Sequence, residues 1–378
     1  MRKFNCFTIV FVLFLLITYP CYAELIPFDS GRWEFKEREN KGDMTHAVKK
    51  YLGKKCLYLR IGEALVKDLD VTDGIIEYDV AFKEQGKGFL GILWHYLDGE
   101  NTEHFYVRTH RSGELKATQY TPVINGSNSD VWYRSPAYAQ PDVFTYNKWT
   151  PIKCILSGDY AELYIEDMDT PLLTFRQQLD SDSGQIGLVS GGFPIPVING
   201  GYFANFRFTP MTKPPIKGKI SKDVIPMGTI MRWSVSELID NDALDGKFRL
   251  TEKDQQLRWT ELTANKTGFV NFAKVQASGD TSKKSTAFGR TTIISDKEQI
   301  KRLQFRYNLQ NNIKVYLNGQ LLFGSDNQEL DTIAKFKDLY LPLQKGTNEL
   351  CIAITDTPIG GGWGFQTILD DMKGIKIN

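Results

Sequence analysis

Apolar and polar positions alternate with period two in short runs along most of the chain. Residues 74–82 (GIIEYDVAF), 89–96 (FLGILWHY) and 104–111 (HFYVRTHR) carry that pattern, and 151–156, 161–166 and 185–189 continue it with turn residues between them. Further on, 269–275, 302–308, 313–317 and 350–355 behave likewise. Alternation over four to eight residues sends one set of side chains to a core and the other outward, the mark of a half-buried strand. Asn318-Gly319, between 313–317 and 320–323, predicts a type I′ hairpin because both residues accept positive φ. Helical period is confined to 235–239 and 297–303, where a few turns are expected. The pattern predicts an all-β protein.

One break interrupts it. Residues 209–226 (TPMTKPPIKGKISKDVIP) hold four prolines, four lysines and no aromatic residue, a composition that stays extended and seldom forms a core. A linker over 209–227 is expected, separating domains at 24–208 and 228–378. The expectation is two antiparallel β-sandwich (jelly-roll) domains after a signal peptide. That leader is read from Arg2 and Lys3, the apolar run from Phe7 to Ile17, and Cys21-Tyr22-Ala23 with small residues at the cleavage positions. Cleavage near Ala23 implies a secreted or periplasmic protein. Eleven apolar residues are too few for a span, which takes about 20 in a helix, and Thr18-Tyr19-Pro20 makes a poor lipobox before Cys21. No integral membrane span is expected.

Charge removes one class of partner. The 378 residues hold 46 Lys+Arg against 45 Asp+Glu, a formal net charge of +1. Loss of Arg2 and Lys3 with the leader brings it to −1. Nucleic-acid binding needs a clear basic excess, so no nucleic acid is expected; an uncharged partner fits better. Beyond the leader lie Cys56, Cys154 and Cys351. Export permits a disulfide, with Cys56–Cys154 the first pair to test, while three buried thiols are the alternative.

Candidate chemistry begins at Asp98-Gly99-Glu100-Asn101. If these residues turn a hairpin, His95 lies opposite His104, Leu93 opposite Tyr106 and Gly91 opposite Arg108. Leu90, Ile92, Trp94, Tyr96, Phe105 and Val107 then form the core face. His95, His104, Tyr106, Arg108 and His110 share the other. That set is either a binding face, with His and Arg donating to hydroxyls and Tyr106 offering a ring, or a solvated outer face. His104 and His110 are about 20 Å apart along an extended strand, too far to share a metal ion.

Glu77 and Asp79 project from one face of 74–82. Their backbone spacing of about 6.5 Å suits the carboxylate pair of glycoside hydrolysis, although such a pair is also common on exposed strands. Residues 119–138 (QYTPVINGSNSDVWYRSPAY) read as a long loop in which Gln119, Trp132 and Tyr133 are candidate ligand contacts, the aromatic rings by stacking on a sugar. Asp180-Ser181-Asp182-Ser183-Gly184 lacks the spacing and terminal Glu of a calcium loop. Gly360-Gly361-Gly362-Trp363-Gly364 opens no helix and lacks GK[ST]. No cofactor is called for, no metal site is expected, and a structural calcium has no motif behind it.

The first domain resembles the concanavalin A-like lectin/glucanase superfamily, in its laminin-G-like and 3-keto-disaccharide hydrolase-like branches. The resemblance is carried by Asp73 to Val80, Phe105-Tyr106-Val107-Arg108, Gln119-Tyr120-Thr121-Pro122 with Asn125-Gly126, and Ser183 to Leu188. The glucanase strand of that superfamily, Glu-x-Asp-x-(x)-Glu, is matched at Glu77 and Asp79, but its third place falls on Ala81 or Phe82. The second domain is similar to a galactose-binding-like jelly roll through Val315-Tyr316-Leu317-Asn318-Gly319 and Leu341-Pro342-Leu343. The polar His/Tyr/Arg face, the aromatic loop and this resemblance together lead to the expectation of a carbohydrate partner, bound without cleavage. A glycoside hydrolase or lyase using Glu77 or Asp79 is the alternative, and an adhesive module that recognises another protein is a second one.

Overall fold

Strands and short 3-10 turns make up all the regular structure of the described residues. The structure is a computed structural model describing residues 22–37, 43–83, 88–191, 200–220, 225–240, 257–275, 285–309, 311–326, 336–355 and 362–377. Most of the expected leader, and Gly360 and Gly361 of the glycine run, lie outside those residues.

Every strand pairing is antiparallel. The first sheet runs Leu173–Arg176, Tyr160–Ile165, Trp149–Ser157, Gly74–Ala81, Gly201–Pro210, Lys54–Arg60, Thr45–Tyr51. The second runs Ser127–Asn128, Thr118–Ile124, Asn101–Val107, Phe89–Asp98, Gln185–Gly191, Gly62–Val66, Trp33–Lys36. Their facing sets interlock in one core: Ile76, Val80, Ile152 and Leu163 from the first sheet meet Ile92, Trp94, Phe105 and Leu188 from the second. Alternation alone produces this arrangement, since period-two side chains leave each sheet with one apolar face to cover.

A second sandwich follows. One sheet orders Trp259–Thr263, Arg232–Ser236, Ser285–Ser295, Gly346–Thr355, Asn312–Leu317 and Gln320–Ser325, and the other Phe269–Asn271, Gly364–Leu369, Gln299–Tyr307 and Lys337–Leu343. Trp233, Val235 and Ile352 pack there on Leu303, Phe305 and Phe365. The expected hairpin is present, with Asn318 at φ 51° and Gly319 at φ 77°.

Both expected helical stretches are strands, for the same reason. In Arg232–Ser236 the buried apolar set is Trp233 and Val235, and in Gln299–Tyr307 it is Leu303, Phe305 and Tyr307, both at period two. Ile300, in the 297–303 stretch, is 68% exposed. The 269–275 run is a strand only to Asn271. There the Asn271 side chain accepts the Ala273 N–H at 3.1 Å and starts a 3-10 turn.

The 209–226 segment is tied down where it begins. Thr209 and Pro210 pair with Ile75 and Gly74 as the end of a strand. Glu162, on the outer side of the first sheet, then accepts N–H groups from Lys217 and Gly218 at 3.1 and 2.6 Å. Cys56, Cys154 and Cys351 are free and buried, so the Cys56–Cys154 pairing does not form. The strands carrying these two are separated by Gly74–Ala81 and Gly201–Pro210, about 14 Å at normal strand spacing, beyond disulfide reach.

Candidate functional site

Gly99-Glu100 turn the hairpin of Phe89–Asp98 and Asn101–Val107. The register differs from the expected one: Leu93 lies opposite His104 and Gly91 opposite Tyr106, with a bulge between Trp94 and Asp98. His95 sits in that bulge at φ 44°. Gly184 backs it so closely that a Cβ there would stand 2.5 Å from the His95 carbonyl carbon. The offset removes His95 from the row of His104. It also sends Tyr96 away from the main core, into a small cluster with Leu65, Leu93 and Val189.

The other face of the hairpin is polar, as expected, but it is not open. His95, His104, Tyr106 and Arg108 are 2–3% exposed and Gln119 is fully buried. Arg108 Nη1 donates to Gln119 Oε1 at 2.7 Å and to Lys116 O at 2.9 Å. Its Nη2 donates to Tyr106 Oη at 2.9 Å and to Asp130 Oδ2 at 3.1 Å. Arg134 reaches the same Asp130 oxygen at 2.5 Å, and Gln119 Nε2 donates to Asp130 O. The guanidinium of Arg108 lies 4.7 Å from the Tyr106 ring centroid and 4.9 Å from that of Phe89. A buried charge needs a counter-charge and filled hydrogen bonds; here the 3-10 turn Asp130–Tyr133 supplies the first through Asp130, and Gln119, Tyr106 and Lys116 O fill the remaining hydrogen bonds.

The aromatic residues of 119–138 are likewise occupied. Trp132 stacks on Phe269 of the second sandwich at 4.2 Å and 19°. Gly362 packs against the same indole, where a Cβ would come within 2.7 Å. Tyr133 is buried against Tyr120 and Tyr138, and burial pushes its phenol well above the ordinary value. Trp363 is buried too. Trp132 thus joins sandwich to sandwich, and Tyr133 and Trp363 pack within their own, none of them facing solvent.

Glu77 and Asp79 share one face of Gly74–Ala81 as expected, and that face is the outer side of the first sheet, since Ile76, Tyr78 and Val80 fill the core. Asp79 Oδ2 accepts from Lys54 Nζ and Asn205 Nδ2, each at 2.6 Å. The third glucanase place, at Ala81 or Phe82, is buried apolar.

A cleft of about 220 Å³ opens beside His95. Gly158, Asp159 and Arg176 to Asp182 form one wall, and Asn265, Lys266 and Lys274 of the second sandwich form the other. Buried Glu103 fixes the first wall: its Oε1 accepts the N–H groups of Gln178 and Leu179 at 2.7 and 2.9 Å, and its Oε2 accepts from Tyr120 Oη. Burial holds the Glu103 carboxyl above its ordinary value against those hydrogen bonds. Trp94 Nε1 donates to Gln177 Oε1 at 2.6 Å, orienting that amide from the core. Asn265 Nδ2 reaches Gln178 Oε1 at 3.4 Å, and Lys274 pairs with Asp180 at 3.2 Å, so the walls are bonded to each other.

His95 Nε2 lies 3.1 Å from Thr72 O. A carbonyl only accepts, so Nε2 carries the proton and Nδ1 is an acceptor. That buried Nδ1 has no partner among the described residues. Burial lowers the pKa of His95, against the pull of Thr72 O and of the Asp182, Asp73 and Asp70 carboxylates. Among the described residues no three His, Cys, Asp or Glu side chains group as metal ligands. Of the cleft residues, only His95 is a ligand candidate in the sequence; Asp180, Ser181 and Asp182 are weighed there only as a calcium loop. The others come from five separate places in the chain with no shared motif.

No protein-family model matches the chain, and no curated protein matches it by sequence. Among solved structures, it is similar to the carbohydrate-binding module CBM66 of Bacillus subtilis at 17% identity, over 49% of this chain and 96% of that one, TM-score 0.34. A Bacillus licheniformis β-glucanase matches at 11% identity over 50% and 98%, TM-score 0.36. The alginate lyase vAL-1 of Chlorella virus matches at 10% over 48% and 94%, TM-score 0.33. At these scores the likeness decides nothing about substrate or reaction.

Proposed function

We propose that the protein is an exported carbohydrate-binding protein that holds a saccharide in the cleft between its two sandwiches and does not cleave it. The observation that carries this reading is His95. A buried imidazole nitrogen with no partner is costly unless a ligand donor fills it, and His95 lines the cleft together with groups that suit vicinal hydroxyls. Gln177, Gln178 and Asn265 offer amides, Asp182 a carboxylate, and Lys266 an ammonium. The volume lies below the usual range for drug-sized ligands and suits one or two sugar rings.

Binding without cleavage is favoured by how the carboxylates are engaged. Asp159 pairs with Arg176, and Asp180 with Lys274, while Glu77 and Asp79 face outward from the first sheet. Titration calorimetry against a panel of mono- and oligosaccharides tests the reading. The expected result is binding that falls at least tenfold in His95→Asn and Asn265→Ala, with no new reducing ends. Wild-type affinity in both variants, or sugar release abolished by Glu77→Gln, would overturn it.

A further inference from the structure

The outer face of the first sheet carries a second feature, at the hairpin of Thr45–Tyr51 and Lys54–Arg60. Register sets Trp149 beside Ala81, Ala81 beside Tyr202, and Tyr202 beside Tyr58. This row crosses four strands, about 14 Å at normal spacing. Ala81 leaves a gap in it, and Tyr51 fills the gap from the edge strand. Its ring stacks on Tyr202 at 3.9 Å and 13° and meets Trp149 edge-on at 6.1 Å. Tyr51 Oη donates to Asn147 Oδ1 at 2.8 Å, and Trp149 Nε1 to Leu52 O at 3.2 Å, so the rings are held in place. All four are half-buried, with part of each left to solvent.

The hairpin around them is cationic: Lys49, Lys50, Lys54 and Lys55 flank the turn at Leu52-Gly53. Lys54 pairs with Asp79 and Lys55 with Asp29. Lys49, on the same face as Tyr51, is exposed and has no carboxylate partner among the described residues, while Lys50 alternates with Lys55 to the opposite face. Lys49 Nζ stands 4.3 Å from the centroid of Tyr58, and Lys54 Nζ 5.2 Å from that of Trp149.

We infer that this platform binds an acidic polysaccharide, separately from the cleft. A ring with an ammonium beside it matches a sugar unit twice, through the C–H face that stacks and the carboxylate or sulfate that meets the charge. The length of the row suits several linked units rather than one. A purely hydrophobic partner would leave Lys49 without counter-charge. A neutral glycan would not use it.

The test is affinity electrophoresis of the full chain through gels holding polygalacturonate, a neutral glucan, or neither. Polygalacturonate is expected to retard the protein, less so as salt rises, and the glucan is not. Lys49→Glu is expected to lose at least tenfold in affinity, whereas Lys50→Glu, on the opposite face, retains binding. The same charge change placed on an exposed residue of the second sandwich, Lys297→Glu, retains binding as well. Trp149→Ala, checked for an unchanged far-ultraviolet spectrum, loses binding as well. Four results would overturn the inference: no retardation, equal retardation by the glucan, full binding in Trp149→Ala, or equally tight binding of double-stranded DNA or phosphatidylserine vesicles.

Discussion

Replacing Asp130 by alanine removes the one carboxylate that Arg108 and Arg134 share. Asp130 Oδ2 lies 3.1 Å from Arg108 and 2.5 Å from Arg134, and the three side chains are 6%, 4% and 16% exposed in that order. Breaking a buried pair by deleting one partner costs about 3–5 kcal/mol, because the remaining charge stays buried without compensation. Arg134 can turn toward water and contributes little to that figure. Arg108 is held by Tyr106, Gln119 and Lys116 O and cannot. Asp130→Asn, which keeps an acceptor, should lose about 1–3 kcal/mol. Urea unfolding followed by tryptophan fluorescence measures both. With a slope of about 2 kcal/mol/M, Asp130→Ala should lower the midpoint of the transition involving the first sandwich by roughly 2 M. A shift within about 0.5 kcal/mol, inside the range of ordinary surface changes, would refute the reasoning. It would mean that the guanidinium already reaches water and that the hairpin face is open.

Three further outcomes follow from the same geometry. Because burial holds His95 below the usual imidazole value of 6.5, the unfolded chain takes up its proton first. Its contribution to stability is complete above 6.5 and is lost as pH falls through the folded value; thermal midpoints at several pH values should fall less steeply in His95→Asn, and parallel curves would count against this. Glu162→Ala removes the acceptor of the Lys217 and Gly218 N–H groups, so limited trypsin digestion should cut at Lys217 or Lys219 well before it does in the parent. Gly91→Ala sets a Cβ 1.9 Å from Phe105 O and should cost about 1–3 kcal/mol or more as overpacking against a backbone that cannot move alone, read as a lower thermal midpoint.

Period two was legible wherever it ran long enough, because a strand with one apolar face has to repeat at that interval. It failed at 235–239 and 297–303, where a few apolar residues also satisfied i, i+3 spacing and the longer alternating set decided the outcome. The faces themselves were harder to read. Glu77/Asp79 and His104/Tyr106/Arg108 are both polar sets opposite a core set, and alternation cannot say which is covered. Coverage came from 26 residues beyond His104, where Asp130 turns back over Arg108, and that contact leaves no periodic trace. The rings of Trp132 and Tyr133 were visible as aromatic residues in a loop, but Trp132 finds its partner, Phe269, in the other sandwich, and Tyr133 finds Tyr120 and Tyr138 in its own.

The bulge at His95 shows why the site was only partly readable. Strict pairing from the Gly99-Glu100 turn puts His95 across from His104, and the observed pairing breaks between Trp94 and Asp98. One residue at positive φ turns His95 from the row of Arg108 to the cleft beside Asp182 and Gln178. The condition for that turn lies elsewhere in the chain, at Gly184, whose missing side chain leaves room for the His95 backbone. Any side chain at 184 would press on the bulge and favour straight pairing. The histidine was visible in the sequence as an unusual residue on a strand, and a glycine 89 positions later determines which surface it serves.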